Sequence, residues 1–110
     1  MHWKPLQDCS QLDDIVIQSA VRSQVLFKHS TRCTISVMAL NRLERTAAPV
    51  GADFYLLDLL NHRDVSNEIA ERFGVTHASP QVLIIKQGIC VYDESHNAIS
   101  MDEITDMVTS

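Results

Sequence analysis

Gln24-Val25-Leu26-Phe27-Lys28-His29-Ser30-Thr31-Arg32-Cys33-Thr34-Ile35-Ser36 runs from an apolar stretch through a polar loop into a helical pattern, with a cysteine at the junction. Val25, Leu26 and Phe27 are consecutive and apolar, as in a strand covered on both faces. Gln24 to His29 is therefore predicted as a strand. Beyond the loop, Ile35, Met38, Ala39 and Leu43 recur at helical spacing, which predicts a helix from Cys33 to about Thr46. Ala48-Pro49-Val50-Gly51 breaks it.

The flanking chain extends the same alternation. Upstream, Ser10 to Arg22 is predicted as a helix, with Ser10 and Asp13 approximating a capping box and Leu12, Ile15, Val16 and Ala20 on one face. Downstream, Asp53 to Leu60 is a second buried strand. Asp64 then caps a short helix carrying Val65, Ile69 and Phe73, and Gly74 ends it. Pro80 precedes a third strand, Gln81 to Ile85. After the turn Lys86-Gln87-Gly88, a fourth strand returns over Ile89 to Asp93. Ser100 with Glu103 caps a last helix holding Ile104, Met107 and Val108. The order αβαβαββα requires a right-handed crossover and a parallel pair, to which the hairpin adds antiparallel strands. The expectation is an α/β chain of thioredoxin-like fold, with a four-stranded mixed sheet, helices on both faces, and one domain over 1–110.

Composition narrows the function. The chain has 110 residues, 45% of them hydrophobic and 21% charged, as in ordinary globular proteins. Aromatics are only 5%, so the core must be aliphatic. Nine Lys and Arg face fourteen Asp and Glu, a net charge of -5. That balance argues against phosphate-backbone or anionic-membrane partners, which require clustered cations. Apolar runs such as Val82 to Ile85 are far short of the ~20 residues of a membrane span. Met1-His2-Trp3-Lys4-Pro5 leads into no apolar segment of the signal-peptide kind, so a cytoplasmic location is expected. Cys9, Cys33 and Cys90 form an odd set without a C-x-x-C, which is no disulfide framework.

Cys33 carries the chemical interest. The first amides of a helix lack intrahelical partners, and the macrodipole places about half a positive charge there. A thiolate at that point is stabilised and becomes a better nucleophile at neutral pH. Arg32 adds positive charge, and the Thr31 and Ser36 hydroxyls are candidate donors to the sulfur. The plain alternative, a buried inert cysteine, fits less well with these polar neighbours. Cys33-Thr34-Ile35-Ser36 is a C-x-x-S sequence, with serine where a dithiol enzyme has its resolving cysteine. Chemistry then stops at a mixed disulfide until an outside thiol attacks. Ser79-Pro80, before a strand, would face the Cys33 loop in this fold. If that bond is cis, the Ser79 backbone is free to pair with substrate. His29 is read as hydrogen-bonded near the site, and His62 and His77 as loop histidines. The five histidines show no metal-ligand spacing with the cysteines, so no metal is expected. Cys90 reads as a core residue, and Cys9, before the first helix, as a candidate for exposure. Met38, Met101 and Met107 read as core fillers.

Lys28-His29-Ser30-Thr31-Arg32-Cys33-Thr34-Ile35-Ser36-Val37-Met38-Ala39 resembles the active-site segment of the monothiol bacilliredoxins, the YtxJ-like proteins of the bacterial bacillithiol system. His62-Arg63-Asp64-Val65-Ser66 and His77-Ala78-Ser79-Pro80-Gln81 resemble that family too, and the similarity runs from about Ser10 to the end. The resemblance implies a cytosolic enzyme that removes bacillithiol from S-bacillithiolated proteins. Cys33 would be the attacking thiol and Ser36 would stand in for the resolving cysteine. On the reading of the residues themselves, Thr31, Arg32 and Ser36 are expected to stabilise the thiolate, and His29, Ser79 and Pro80 to contact substrate. No bound cofactor is implied, only a reduced low-molecular-weight thiol as co-substrate and S-thiolated proteins as partners. The chain departs from the family pattern T-C-P-I-S, with Arg32 in place of Thr and Thr34 in place of Pro. The rival class is a non-catalytic thioredoxin-like binding or adaptor module with Cys33 as a redox sensor.

Overall fold

In the computed structural model, which describes residues 1–110, the elements follow the order β1 (Lys4–Pro5), α1 (Ser10–Gln18), β2 (Ser23–His29), α2 (Thr34–Glu44), β3 (Ala52–Asp58), α3 (Arg63–Phe73), β4 (Gln81–Lys86), β5 (Ile89–Ser95) and α4 (Met101–Thr109). The strands form one sheet in the order β1-β3-β2-β4-β5. β1, β3 and β2 are parallel, while β4 runs antiparallel to β2 and β5 antiparallel to β4. The sheet thus has five strands and not the four expected. The missed strand is two residues long and contains a proline, so it leaves no alternation to detect. It is fixed by pairing Lys4 with Tyr55, by the Leu6 amide donating to Leu56 O at 2.9 Å, and by a 3.3 Å ion pair from Lys4 to Asp53.

Two apolar layers hold the elements together. Leu12 and Ile15 of α1 and Val65 and Ile69 of α3 pack with Leu26 and Leu57 on one face of the sheet. Ala39 and Leu43 of α2 and Ile104 of α4 pack with Phe27 and Val82 on the other. Each fully buried side chain of this size contributes about 1.5–3 kcal/mol. Every residue of β2 is buried, so its side chains alternate between two interiors, Leu26 and Lys28 toward one and Phe27 and His29 toward the other.

Local chemistry sets the ends of the helices. α1 stops at Gln18 and not near Arg22, because the Ser19 hydroxyl donates to Val16 O and accepts from the Gly88 amide. The Ser10–Asp13 box does not form. The Asp8 carboxylate accepts from the Ser10 amide at 2.9 Å instead. In α2 the buried face is Ser36, Ala39 and Leu43, whereas Ile35 (40% exposed) and Met38 (54% exposed) turn to solvent. Those two residues are therefore not core, and Met38 is no core filler. α3 ends at Gly74 in the left-handed region (φ 66°), as expected. α4 starts as expected, with the Glu103 amide donating to Ser100 Oγ. Gln87 and Gly88, both at positive φ, make the tight β4–β5 turn. No helix is long and apolar enough to cross a membrane.

Candidate active site

Cys33 is the N-cap of α2, in extended conformation (φ -104°, ψ 118°), and is half-buried. Its amide donates to Ser30 O at 3.2 Å, closing a tight turn, and its carbonyl accepts from Val37 at 3.0 Å. The amides of Thr34, Ile35 and Ser36 make no main-chain hydrogen bond. These are the orphan donors that face an anion at a helix start. The sulfur stands at the positive end of α2 with no hydrogen-bond partner in the chain and no disulfide.

The surrounding residues divide differently from the sequence expectation. Ser36, wholly buried, does not bond the sulfur. Its Oγ accepts from the Ser30 amide at 3.0 Å and lies 2.7 Å from His29 Nδ1. This corrects its expected contact with the thiolate: the hydroxyl is fully used in tying the Cys33 loop to the end of β2. Thr31 and Arg32 are exposed and make no side-chain hydrogen bond or ion pair, so neither touches the sulfur through a fixed contact. His29 is buried, with its ring stacked on Phe27. Burial holds its pKa below the usual histidine value, against the opposing charges of Asp58 and Glu44.

Ser79–Pro80 is cis. The β2–β4 register pairs Lys28 with Gln81, so one step on it brings Pro80 beside His29, at the level where the Cys33 loop begins. The Ser79 main chain makes no backbone hydrogen bond, and the Ser79 Oγ is buried without a partner. Fold topology thus places His29, Pro80 and the Ser30–Cys33 turn at one end of the sheet.

The other two thiols have different surroundings. Cys9 is half-buried at the start of α1. Burial and the nearby Asp64, Glu68 and Asp8 carboxylates push its thiol up. Cys90 is half-buried in β5, where its Sγ donates to Tyr92 O. Its thiol is pushed up mainly by burial. No group of three or more His, Cys, Asp or Glu side chains is gathered as a metal site.

Two features escaped the sequence reading. Lys28 is fully buried (0% exposed), and its Nζ lies 3.3 Å from His77 Nδ1, which is also 3.3 Å from Ser66 Oγ. Burial lowers the Lys28 pKa to about 8. A lysine next to Val25-Leu26-Phe27 was the available signal, since a strand buried on both faces leaves its ammonium no exit. The second feature is a cavity of about 390 Å³ on the β3 side of the Cys33 loop, lined among others by Trp3, His29, Thr31, Asp58 and Asn61. Its lining comes from three segments far apart in sequence, which no local motif announces.

Solved structures share this architecture. One, a thioredoxin-fold protein described as a candidate oxidoreductase, is 26% identical, covers 93% of this chain and 89% of its own, and superposes with a TM-score of 0.78. The Malassezia sympodialis thioredoxin (15% identity, 98% of this chain and 89% of its own, TM-score 0.75) and the Fasciola hepatica thioredoxin (19%, 96% of each, 0.73) share the fold. The shared fold and family place the protein in the class of thioredoxin-fold thiol oxidoreductases. Residues 4–104 match the family described as monothiol bacilliredoxin BrxC, and the chain belongs to that family.

Proposed function

We propose that the protein is a monothiol thiol–disulfide oxidoreductase that removes a small thiol, bacillithiol or a close analogue, from protein mixed disulfides in the cytoplasm. The single observation that carries this reading is the Cys33 thiol at the helix N-cap with a fully engaged serine, and no thiol, at position 36. The Cys33 thiolate attacks the small-thiol sulfur of protein–S–S–R. The Cys33–S–S–R bond forms, the protein–S–S–R bond breaks, and the protein leaves as a thiolate. The unpartnered amides at the start of α2, beside Cys33, favour the negative sulfur through the helix dipole. A second reduced small thiol then attacks the Cys33-bound sulfur of R, giving R–S–S–R and restoring the Cys33 thiolate. The net step is an exchange in which one external small thiolate and protein–S–S–R give the protein thiolate and R–S–S–R, and no bound cofactor takes part. The free Ser79 main chain beside the loop is the proposed docking edge for the substrate backbone, with Pro80 and His29 next to it.

The test is to incubate an S-bacillithiolated protein with wild type and Cys33→Ser, and follow both proteins by intact mass. Transfer of the bacillithiol mass to Cys33, lost in Cys33→Ser, is expected. A wild type that binds the thiolated protein without accepting the adduct contradicts the enzymatic reading and supports an adaptor.

A further inference from the structure

The cavity of about 390 Å³ beside the Cys33 loop has no part in the scheme above. It opens at the C-terminal ends of β3 and β2, the end of an open α/β sheet where ligands ordinarily bind. Thr31 lines it, and two residues of chain span at most about 7 Å, so its edge is within a small molecule's reach of Cys33. Trp3 forms a fixed wall, its ring centroid 5.9 Å from those of both Phe27 and Phe54.

The hydrogen-bond pattern determines what this cavity offers. The Ser36 Oγ already accepts from the Ser30 amide, so its own proton has one acceptor within reach, His29 Nδ1 at 2.7 Å. A proton on Nδ1 instead would leave the wholly buried Ser36 hydroxyl without an acceptor. Nδ1 is therefore the acceptor, and Nε2 carries the ring proton. Nε2 has no hydrogen bond in the chain, is not among the buried unpartnered atoms, and belongs to a residue that lines the cavity. Ser36 is thus a positioning residue that leaves His29, a residue of the cavity lining, as a donor through Nε2. On the neighbouring strand, in register with His29, Asp58 accepts from the Leu60 amide and from Asn61 Nδ2, with one lone pair on each oxygen still free. A hydroxyl or amide group satisfies both walls, accepting from His29 and donating to Asp58.

We propose that this cavity seats the non-sulfur body of the small thiol, a hydroxyl- or amide-bearing group that accepts a hydrogen bond from His29 Nε2–H and lies against Trp3. This rests on the reading of Cys33 as the residue that carries the small thiol. It separates two kinds of thiol: one with a polar body fills the cavity, and a bare alkyl thiol does not.

The experiment loads Cys33 of the full chain chemically as a mixed disulfide with bacillithiol or with ethanethiol, and compares NMR spectra. Bacillithiol loading is expected to shift the His29 imidazole and Trp3 indole resonances, and ethanethiol loading to leave them in place. The same shifts with both thiols, or none with either, overturn the subsite. A second arm fills the cavity from its exposed rim with Gln7→Trp, which leaves the His29–Ser36 bond intact. The ratio of resolving rates, bacillithiol over ethanethiol, is expected to fall at least tenfold, and an unchanged ratio overturns the subsite. If the loaded shifts appear but the wild type removes no bacillithiol from proteins, the subsite stands and the enzymatic reading falls. Turnover without the shifts overturns the subsite alone.

Discussion

Ser36 Oγ lies 2.7 Å from His29 Nδ1, and this bond joins the first turn of α2 to the last residue of β2 beneath the Cys33 loop. The position at which a dithiol enzyme keeps its resolving cysteine here holds the loop in place. Removing the hydroxyl strands two buried groups, the Ser30 amide and His29 Nδ1. Ser36→Ala is expected to destabilise the fold by about 1–3 kcal/mol, read by urea unfolding at pH 7, with Ser36→Thr recovering part of the loss. A loss within error would show that the bond does not hold the loop.

The same histidine predicts an acid response. Burial lowers the pKa of His29, and burial with the Lys28 and Arg63 charges lowers that of His77. Each folded value lies below the unfolded one, so the unfolded chain takes up protons first as pH falls. Stability present above about pH 6.5 is thus lost as pH falls toward the folded values. Urea unfolding at pH 7 and pH 5 is expected to show this fall, and His29→Phe to reduce it. A slope that His29→Phe leaves unchanged would show that His29 titrates alike in both states.

Lys28 gives the alkaline counterpart. Its folded pKa of about 8 lies below the ordinary 10.5, so between those values the unfolded chain holds the proton and stability rises with pH. The stability of wild type relative to Lys28→Met is expected to climb across that window by up to about 3 kcal/mol. Taking the difference cancels the cysteines and tyrosines that both proteins share. A flat difference would mean the ammonium is solvated.

The thiols should separate by reactivity. The Cys9 and Cys90 thiols are pushed up by burial and carboxylates, while Cys33 sits at a helix N-cap. Limited iodoacetamide at pH 7.5, followed by peptide mass spectrometry, is expected to label Cys33 at least tenfold faster than either. Comparable labelling would show that the helix end gives Cys33 no advantage.

The central strands, their crossover and the place of Cys33 were legible because each rests on local periodicity. Val25-Leu26-Phe27, Val82 to Ile85 and the Ser100–Glu103 cap need no knowledge of distant chain. β1 was not legible, since Lys4 and Pro5 become a strand only by lying along Tyr55 and Leu56. Ile35 and Met38 match helical spacing as well as Ala39 and Leu43 do. The polar bonds of Ser36 turn α2 so that these two face outward. The link between His29 and Ser36 crosses seven positions and a loop, and hydroxyl chemistry alone pointed Ser36 at the nearer sulfur.

Ser36→Cys asks whether the serine alone keeps the enzyme monothiol. Positions 33 and 36 lie one helical turn apart, within the roughly 7 Å Cα separation a disulfide needs. The variant is expected to release the small thiol from Cys33 without any external thiol, by forming a disulfide between positions 33 and 36. An adduct that persists on Cys33 would show that the fold, and not the serine, prevents internal resolution.

The most direct test of the monothiol mechanism is a single turnover with no free small thiol, comparing wild type and Cys9→Ser by intact mass and peptide mapping. Cys9 caps α1 against the apolar layer beside α3, and Cys90 is held in β5, so neither is placed as a partner in the scheme. Both proteins are expected to stop as the Cys33 mixed disulfide, and to be released only when small thiol is added. A wild type that ends with a Cys9–Cys33 disulfide, while Cys9→Ser stalls with the adduct, would contradict it.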